Sequence, residues 1–196
     1  QRYSLALESQ APPVQAVRPV LFLRPDELAT ARNLLTLRGL SRPIALHPFA
    51  THLAKTLAPQ AWRDLVQHLQ ATGHAVVIVG RAATPLFPEA PFDLTNMTDL
   101  RTTAALVAQC RALVSGDSGP MHIATAVGTP CIALFGPTTQ EWGFYPSGPH
   151  DRIVRAQCPD APCSLHGQGT CTRGHACMMS ISVHEIMDAL HALPET

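Results

Sequence analysis

Residues 115–124 read Ser-Gly-Asp-Ser-Gly-Pro-Met-His-Ile-Ala and follow an apolar run at 112–114. The apolar run predicts a buried strand. The residues after it predict a tight turn and a helix that runs to about Val127 and ends at Gly128. Glycines in such a turn let a ligand approach the backbone closely, and Pro120 suits a first helical turn. Because the N–H groups at a helix start and the helix dipole both favour an anion, the stretch predicts a phosphate cradle.

The side chains of this turn suggest contacts to a sugar as well as to a phosphate. Asp117 would repel a phosphate, so it suits a neighbouring group rich in hydroxyls, such as a sugar. His122 lies one turn into the helix, where it can donate to a phosphate oxygen, and the backbone of Ser118 and Gly119 is assigned to the phosphate. The alternative is that Asp117 or Ser118 caps the helix and His122 packs in the core. The turn alone leaves both interpretations open.

Strands and helices alternate along the rest of the chain. Apolar runs at 43–48, 75–79 and 131–135 predict further strands, and helical spacing predicts helices at 25–37 and 59–73. Three further strands are expected, a short edge strand at 20–23, a short strand at 92–95 and a strand at 152–155. Two further helices are expected. One is capped by Thr98 and runs to about Cys110, and the other covers 183–190 with a capping box formed by Ser182 and Glu185. This pattern predicts an α/β fold with a doubly wound, Rossmann-like parallel sheet and helices on both faces. Ligands of such sheets lie beyond the carboxyl ends of the strands.

Composition narrows the classes of function. The chain has 196 residues, of which 46% are hydrophobic, and its formal net charge is zero. It is long enough to bury one good core, and it lacks the basic excess that indicates nucleic-acid binding. No apolar segment approaches the ~20 residues of a membrane span, and no signal peptide opens the chain. We therefore expect a cytoplasmic protein without a transmembrane segment.

A longer run, SGDSGPMHIATAVGTPCIALFGPT at 115–138, resembles the signature of the ADP-heptose:lipopolysaccharide heptosyltransferase family, glycosyltransferase family 9. The resemblance covers roughly residues 20 to 190. It implies the C-terminal, donor-binding half of a two-domain GT-B fold. Residues 1–42 would then be a linker segment with a helix from the interdomain region. Residues 43–196 would form the nucleotide-sugar-binding domain, with a Cys-rich loop at 158–177.

The resemblance also implies an activity. The family consists of inverting glycosyltransferases that add heptose, here from ADP-heptose or a similar donor, to the lipopolysaccharide core or a related glycolipid or protein acceptor. Its catalytic base and acceptor site belong to an N-terminal domain, so we expect this chain to bind the nucleotide sugar without transferring the sugar. A peripheral location at the inner membrane face fits this assignment. The rival functions are a sugar-nucleotide epimerase of similar architecture and a non-catalytic binding or assembly module.

The resemblance implies that two loop residues also belong to the predicted site. The family motif Lys-x-Trp-Pro-x-x-x-Trp has a counterpart in KTLAPQAW at 55–62, and its lysine contacts the phosphate or sugar of the donor. The resemblance therefore implies this role for Lys55, and a hydroxyl near the phosphate for Thr51. The alternatives are a solvated lysine and an ordinary loop threonine. The family also often has a Glu after Gly80 that holds the ribose, but residues 81–84 contain none, which leaves room for another nucleotide.

Cysteines cluster near the end of the chain. Cys158, Cys163, Cys171 and Cys177 lie in one segment with His166 and His175, whereas Cys110 and Cys131 fall in apolar runs and are expected to be buried. Many family members resemble this segment, with a Cys-x-x-Cys, two more cysteines and a Met. The four cysteines, with His166 as a further ligand, are candidates for a structural zinc or iron site, and unbound thiols or disulfides are the alternatives. No Asp-x-Asp pair is present to hold Mg²⁺ on a diphosphate, so we expect catalysis to need no cofactor.

Overall fold

The computed structural model describes residues 18–139, 142–164, 166–168, 171, 173–174 and 176–194. Five parallel strands form one sheet in the order β2-β1-β3-β4-β5. The strands are β1 Ile44–His47, β2 Val76–Ile78, β3 Ala112–Gly116, β4 Cys131–Phe135 and β5 Arg152–Arg155. In the centre of the sheet, Leu46 pairs with Val114, and Val114 pairs in turn with Ile132. This architecture confirms the predicted doubly wound α/β fold.

Helices cover both faces of the sheet. They are α1 Pro25–Thr36, α2 Pro59–Ala71, α3 Leu100–Val107, α4 Gly119–Val127, α5 Ala176–Met179 and α6 Val183–His191, with a 3₁₀ helix at Leu53–Lys55. Alternate residues of a strand point to opposite faces. Accordingly, Ile44 and Leu46 pack in a core layer with α2 and α6, while Ala45 packs in the other layer with α1, α3 and α4. The central strands are buried on both faces, as their unbroken apolar runs predict.

Local signals account for where the helices begin and end. Pro59 occupies the first turn of α2, where a missing N–H costs nothing. Gly128 ends α4 in the left-handed conformation with φ of 82°. At α6, Ser182 accepts from the Glu185 amide and the Glu185 side chain accepts from the Ser182 amide, which confirms the predicted capping box. Among the described residues, no helix is both long enough and apolar enough to cross a membrane.

Four details of the sequence predictions were wrong. Residues 20–23 form no strand, and the Leu21 amide instead donates to the Ala126 carbonyl at 2.9 Å. Residues 92–95 contribute only a single bridge to β2. Asp99, not Thr98, caps α3, because its carboxylate accepts from the Thr102 amide at 2.7 Å. The same helix ends at Val107, before the predicted Cys110.

The strand order locates the ligand-binding edge. The chain runs outward from β1 to β2, returns to the other side of β1 as β3, and continues outward through β4 to β5. The order therefore reverses between β1 and β3, and a crevice opens beyond the carboxyl ends of these two strands. His47 ends β1 and Gly116 ends β3, and α4 starts three residues later at Gly119. The predicted cradle thus lies at the switch point of the sheet.

Candidate functional site

The start of α4 is open. Ser118 is the N-cap residue with extended backbone, and its side chain makes no capping hydrogen bond within the described structure. Apart from the adjoining residues of its own helix, a Cβ added at Gly119 would meet no atom within 4 Å. The first turn thus faces free space at the switch point, which is the geometry that an anion-binding helix start needs. The interpretation of Ser118 as a side-chain cap is wrong.

Lys55 and Asp117 meet beside this helix start, although 62 residues separate them. The Lys55 ammonium lies 2.7 Å from a carboxylate oxygen of Asp117, and the two side chains are only 13% and 11% exposed. The 3₁₀ helix delivers Lys55 to the end of β3, where a Cβ on Gly116 would overlap the Lys55 carbonyl oxygen. Gly116 is therefore required for the close approach of these two backbones. The structure thus brings two of the predicted site residues into direct contact.

His47 belongs to the same site but has no counterpart in the sequence predictions. It stands beside Ser115 in the sheet register, and its Nδ1 lies 3.2 Å from the Ser118 hydroxyl oxygen and 3.4 Å from that of Ser115. Burial lowers the pKa of His47 to about 4, so the ring is neutral at neutral pH. The only sequence signal was a histidine at the carboxyl end of a predicted strand. The Ser118 hydroxyl thus lies within hydrogen-bonding distance of His47 and Ser115 and does not cap the helix.

The remaining predicted residues differ in their placement. His122 lies half-buried in α4, where burial lowers its pKa against the opposing influence of the Asp117 charge. Its ring is therefore neutral at neutral pH and can still donate through an N–H. Thr51 is exposed, and among the described residues it forms no hydrogen bond to Lys55 or Asp117. The structure does not bring Thr51 into contact with this pair.

A cavity of about 420 Å³ adjoins the crevice on the α2 side. It lies between the loops that follow β1 and β2, and Phe49, Trp62 and Leu86 supply apolar surface to it. The loop after Gly80 is closed by Asn96, whose side chain accepts from the Ala82 amide at 3.1 Å and donates to the Ala82 carbonyl at 2.8 Å. The cavity is large enough to accept part of a small ligand.

The cysteine segment packs against the same edge of the sheet. Cys158 and Cys171 are half-buried, Cys163 is exposed and Cys177 is buried. Burial raises the pKa of the Cys177 thiol, and the three neighbouring cysteines add to the effect. Cys110 and Cys131 are buried, as predicted. Among the residues that the structure describes, no group of three or more His, Cys, Asp or Glu side chains is arranged to hold a metal ion; His175 lies outside them.

These features together define a Rossmann-like α/β domain with an open helix start at its switch point. The family model described as glycosyltransferase family 9 (heptosyltransferase) matches residues 2–170. The chain therefore belongs to glycosyltransferase family 9.

Individual relatives agree with this assignment. Lipooligosaccharide heptosyltransferase 2 of Haemophilus influenzae is 37% identical over 93 residues, which cover 41% of this chain and 27% of the relative. The structure of ADP-heptose lps heptosyltransferase II of E. coli superposes with a TM-score of 0.71 at 24% identity, covering 93% of this chain and 55% of that one. The iron-containing dodecameric glycosyltransferase TibC of enterotoxigenic E. coli gives a TM-score of 0.60 at 16% identity, covering 77% of this chain and 44% of its own. The chain thus spans about half the length of these solved structures, and the structural matches support the fold.

Proposed function

We propose that this chain is the donor-binding domain of an inverting glycosyltransferase that uses ADP-heptose or a similar nucleotide sugar. The observation that carries the proposal is the Lys55–Asp117 pair beside the open start of α4. A cation, a helix start and a carboxylate converge there, which suits a diphosphate joined to a sugar. Membership of glycosyltransferase family 9 supports this reading, as does the description of the E. coli structure as an ADP-heptose enzyme.

Each group has a separate role in this proposal. The Ser118 and Gly119 amides and the Lys55 ammonium bind the diphosphate, and His122 donates to one of its oxygens. Asp117 accepts from sugar hydroxyls. Sugar transfer leaves a nucleoside diphosphate with increased negative charge, and fixed positive groups at this position stabilise that charge without a metal ion. Thr51 supplies a further hydroxyl to the phosphate when its loop closes on the donor.

Lys55 must change partners when the donor binds. In the free protein its ammonium is neutralised by Asp117. A diphosphate at the helix start brings a second anion to Lys55, while sugar hydroxyls satisfy Asp117. The nucleotide sugar therefore replaces one partly buried ion pair with two separate sets of contacts, whereas a nucleoside diphosphate lacks the sugar that Asp117 needs.

Calorimetry tests donor binding by the chain itself. Titrations with ADP, UDP and GDP and their sugars should give one-site binding for one nucleotide series, and the loop after Gly80 leaves open which series that is. Lys55→Ala should weaken the diphosphate of the preferred series roughly ten- to a hundredfold, because a hydrogen bond to a charged group is lost. Absence of heat and of a thermal shift with every nucleotide would contradict the proposal and favour an assembly module.

The acceptor side of the reaction is proposed from the family. Lipopolysaccharide core or a related acceptor is expected to bind an N-terminal domain that also carries the base, in a cytoplasmic enzyme at the inner membrane face. Product analysis of the full-length protein with a nucleotide heptose and a lipopolysaccharide acceptor should show an extended acceptor and free nucleoside diphosphate. Recovery of an isomerised nucleotide sugar, with no change in the acceptor, would instead identify an epimerase.

A structural zinc or iron at Cys158, Cys163, Cys171 and Cys177 stays a prediction. One observation favours it: TibC, which shares this fold, is described as iron-containing. The described side chains are not arranged as a metal site, so no step of the proposed reaction depends on one. Near-stoichiometric zinc or iron in the purified protein would support the prediction. Metal-free protein with four titratable thiols in the segment would end it.

A further inference from the structure

The stem of Lys55 lies against a glycine of the cysteine segment. Gly167 is buried and has a φ of +76°. A Cβ on Gly167 would lie 2.8 Å from Cε and 2.9 Å from Cγ of Lys55, closer than real contacts allow. The absence of a side chain at this position therefore lets the aliphatic part of Lys55 pack flat on the backbone.

Lys55 is consequently held on three sides. Its carbonyl packs on Gly116, its ammonium binds Asp117, and its stem lies under Gly167. A lysine stem is flexible and places its charge accurately only when it is packed. The low exposure of the Lys55 side chain, 13%, agrees with this enclosure.

The segment around Gly167 is fixed to the sheet. The amides of Cys163 and Ser164 donate to the Pro137 carbonyl at 3.0 and 3.2 Å, and Pro137 follows the end of β4. The Ser164 hydroxyl donates to the Gln168 carbonyl at 2.8 Å, which joins the residues on either side of Gly167. Hydrogen bonds therefore attach the segment that packs on Lys55 to the carboxyl edge of the sheet.

We propose that Gly167 is a positioning residue for Lys55, so that the cysteine segment forms one wall of the donor site. In this proposal Gly167 acts through Lys55. The role given to the Lys55 ammonium rests on the proposed function. The packing of its stem does not, and it can be tested without any nucleotide.

Two glycine variants isolate this contact. Gly167→Ala introduces the Cβ that displaces Lys55. Gly174→Ala is the matched control, because Gly174 lies in the same segment at a φ of +58° but a Cβ there meets nothing within 4 Å. Both variants place alanine in the left-handed region, and only the first touches Lys55. Gly167→Asn and Gly174→Asn form a second pair, since asparagine tolerates this conformation better.

Labelling and binding give independent readouts. Mass spectrometry after brief acetylation should show Lys55 modified several-fold faster in Gly167→Ala than in the wild type or Gly174→Ala. The affinity for the preferred nucleoside diphosphate should fall about five- to tenfold in Gly167→Ala and stay within about twofold in Gly174→Ala, because a displaced ammonium loses part of a charge-assisted hydrogen bond. On a Lys55→Ala background, Gly167→Ala should cause no further loss.

These experiments distinguish a failure of the positioning role of Gly167 from a failure of the proposed donor binding. Equal labelling and equal affinity in the two glycine variants, or a full additional loss on the Lys55→Ala background, would overturn the positioning role. If no nucleotide binds the wild-type protein, the proposed function fails, while the labelling comparison still decides whether Gly167 holds Lys55. Circular dichroism identifies the variants that fold, and the asparagine pair replaces the alanine pair if either alanine variant does not.

Discussion

Replacing Gly119 with valine tests the phosphate cradle. Gly119 is the first residue of α4, and a Cβ there has no neighbour within 4 Å. The added side chain therefore points into open space in the free protein. Replacing a glycine at a compatible backbone position restricts the unfolded chain and typically stabilises by about 0.4–1 kcal/mol. Valine is less suited to helices than alanine, and its Cβ at position 119 would also crowd Pro120, which disfavours helical backbone in the residue before it. We therefore expect a free energy of unfolding below that of the wild type in a variant that still folds.

Ligand binding should respond very differently. An anion at this helix start needs its oxygens about 2.7–2.9 Å from the amide nitrogens, and the valine methyl groups would occupy that space. Losing a hydrogen bond to a charged group costs about 1.5–3 kcal/mol, which corresponds to a ten- to hundredfold loss of affinity. Because the diphosphate is common to both ligands, nucleoside diphosphate and nucleotide sugar should weaken together.

Calorimetry with both ligands and thermal denaturation measure the two effects separately. Gly119→Ala is the graded control, because a single methyl should cause a smaller loss of affinity than valine while preserving stability. Unchanged dissociation constants in Gly119→Val would show that the phosphate does not approach the start of α4.

Three further variants probe the charges of the domain. Asp117→Asn should weaken the nucleotide sugar roughly ten- to a hundredfold. It should leave the nucleoside diphosphate unchanged or bind it slightly more tightly, because Lys55 no longer leaves an ion pair and no unpaired carboxylate remains. Equal weakening of both ligands would mean that Asp117 shapes the turn instead of binding sugar. Burial lowers the pKa of His47 from 6.5 to about 4, so the unfolded state binds more protons between these values and the wild type loses stability as the pH falls through them. The free energy of unfolding of the wild type should fall by on the order of 3 kcal/mol. His47→Gln should not show this decrease. If denaturant titrations give the same pH dependence for both proteins, the prediction is wrong. A hydrogen bond from Arg101 holds the pKa of Glu27 at about 2, so NMR titration of Arg101→Met should show that pKa rising toward 4.5, and an unmoved pKa would refute the assignment.

The fold was predictable because its central strands are largely apolar runs with glycine or proline close to their ends. The run before Gly116 and the helix that ends at Gly128 illustrate this: both boundaries follow from local backbone preference. The choice between Thr98 and Asp99 as the cap of α3 was not predictable, since either side chain can cap a helix. Residues 20–23 are apolar enough for a strand, but apolar character does not supply the neighbouring strand that a sheet requires.

The site was predictable in its parts but not in its contacts. The loop after β1 and the turn after β3 must share one edge in a parallel sheet, which explains why Lys55 and Asp117 lie close together. Their direct ion pair depends on Gly116 admitting the Lys55 backbone, and no local pattern shows that contact. His47 went unnoticed because a single histidine at a strand end carries no motif. The packing of Gly167 over Lys55 is equally invisible in a sequence segment whose cysteines dominate its interpretation.

Chemical-shift mapping tests the central claim most directly. Uniformly ¹⁵N-labelled protein is titrated with the nucleoside diphosphate that binds best, and the backbone amide resonances are followed. The account predicts the largest perturbations at Ser118 and Gly119, with accompanying changes around Lys55 and His122. Saturable perturbations confined to another face of the sheet, with the α4 start unaffected, would contradict a diphosphate site at this helix.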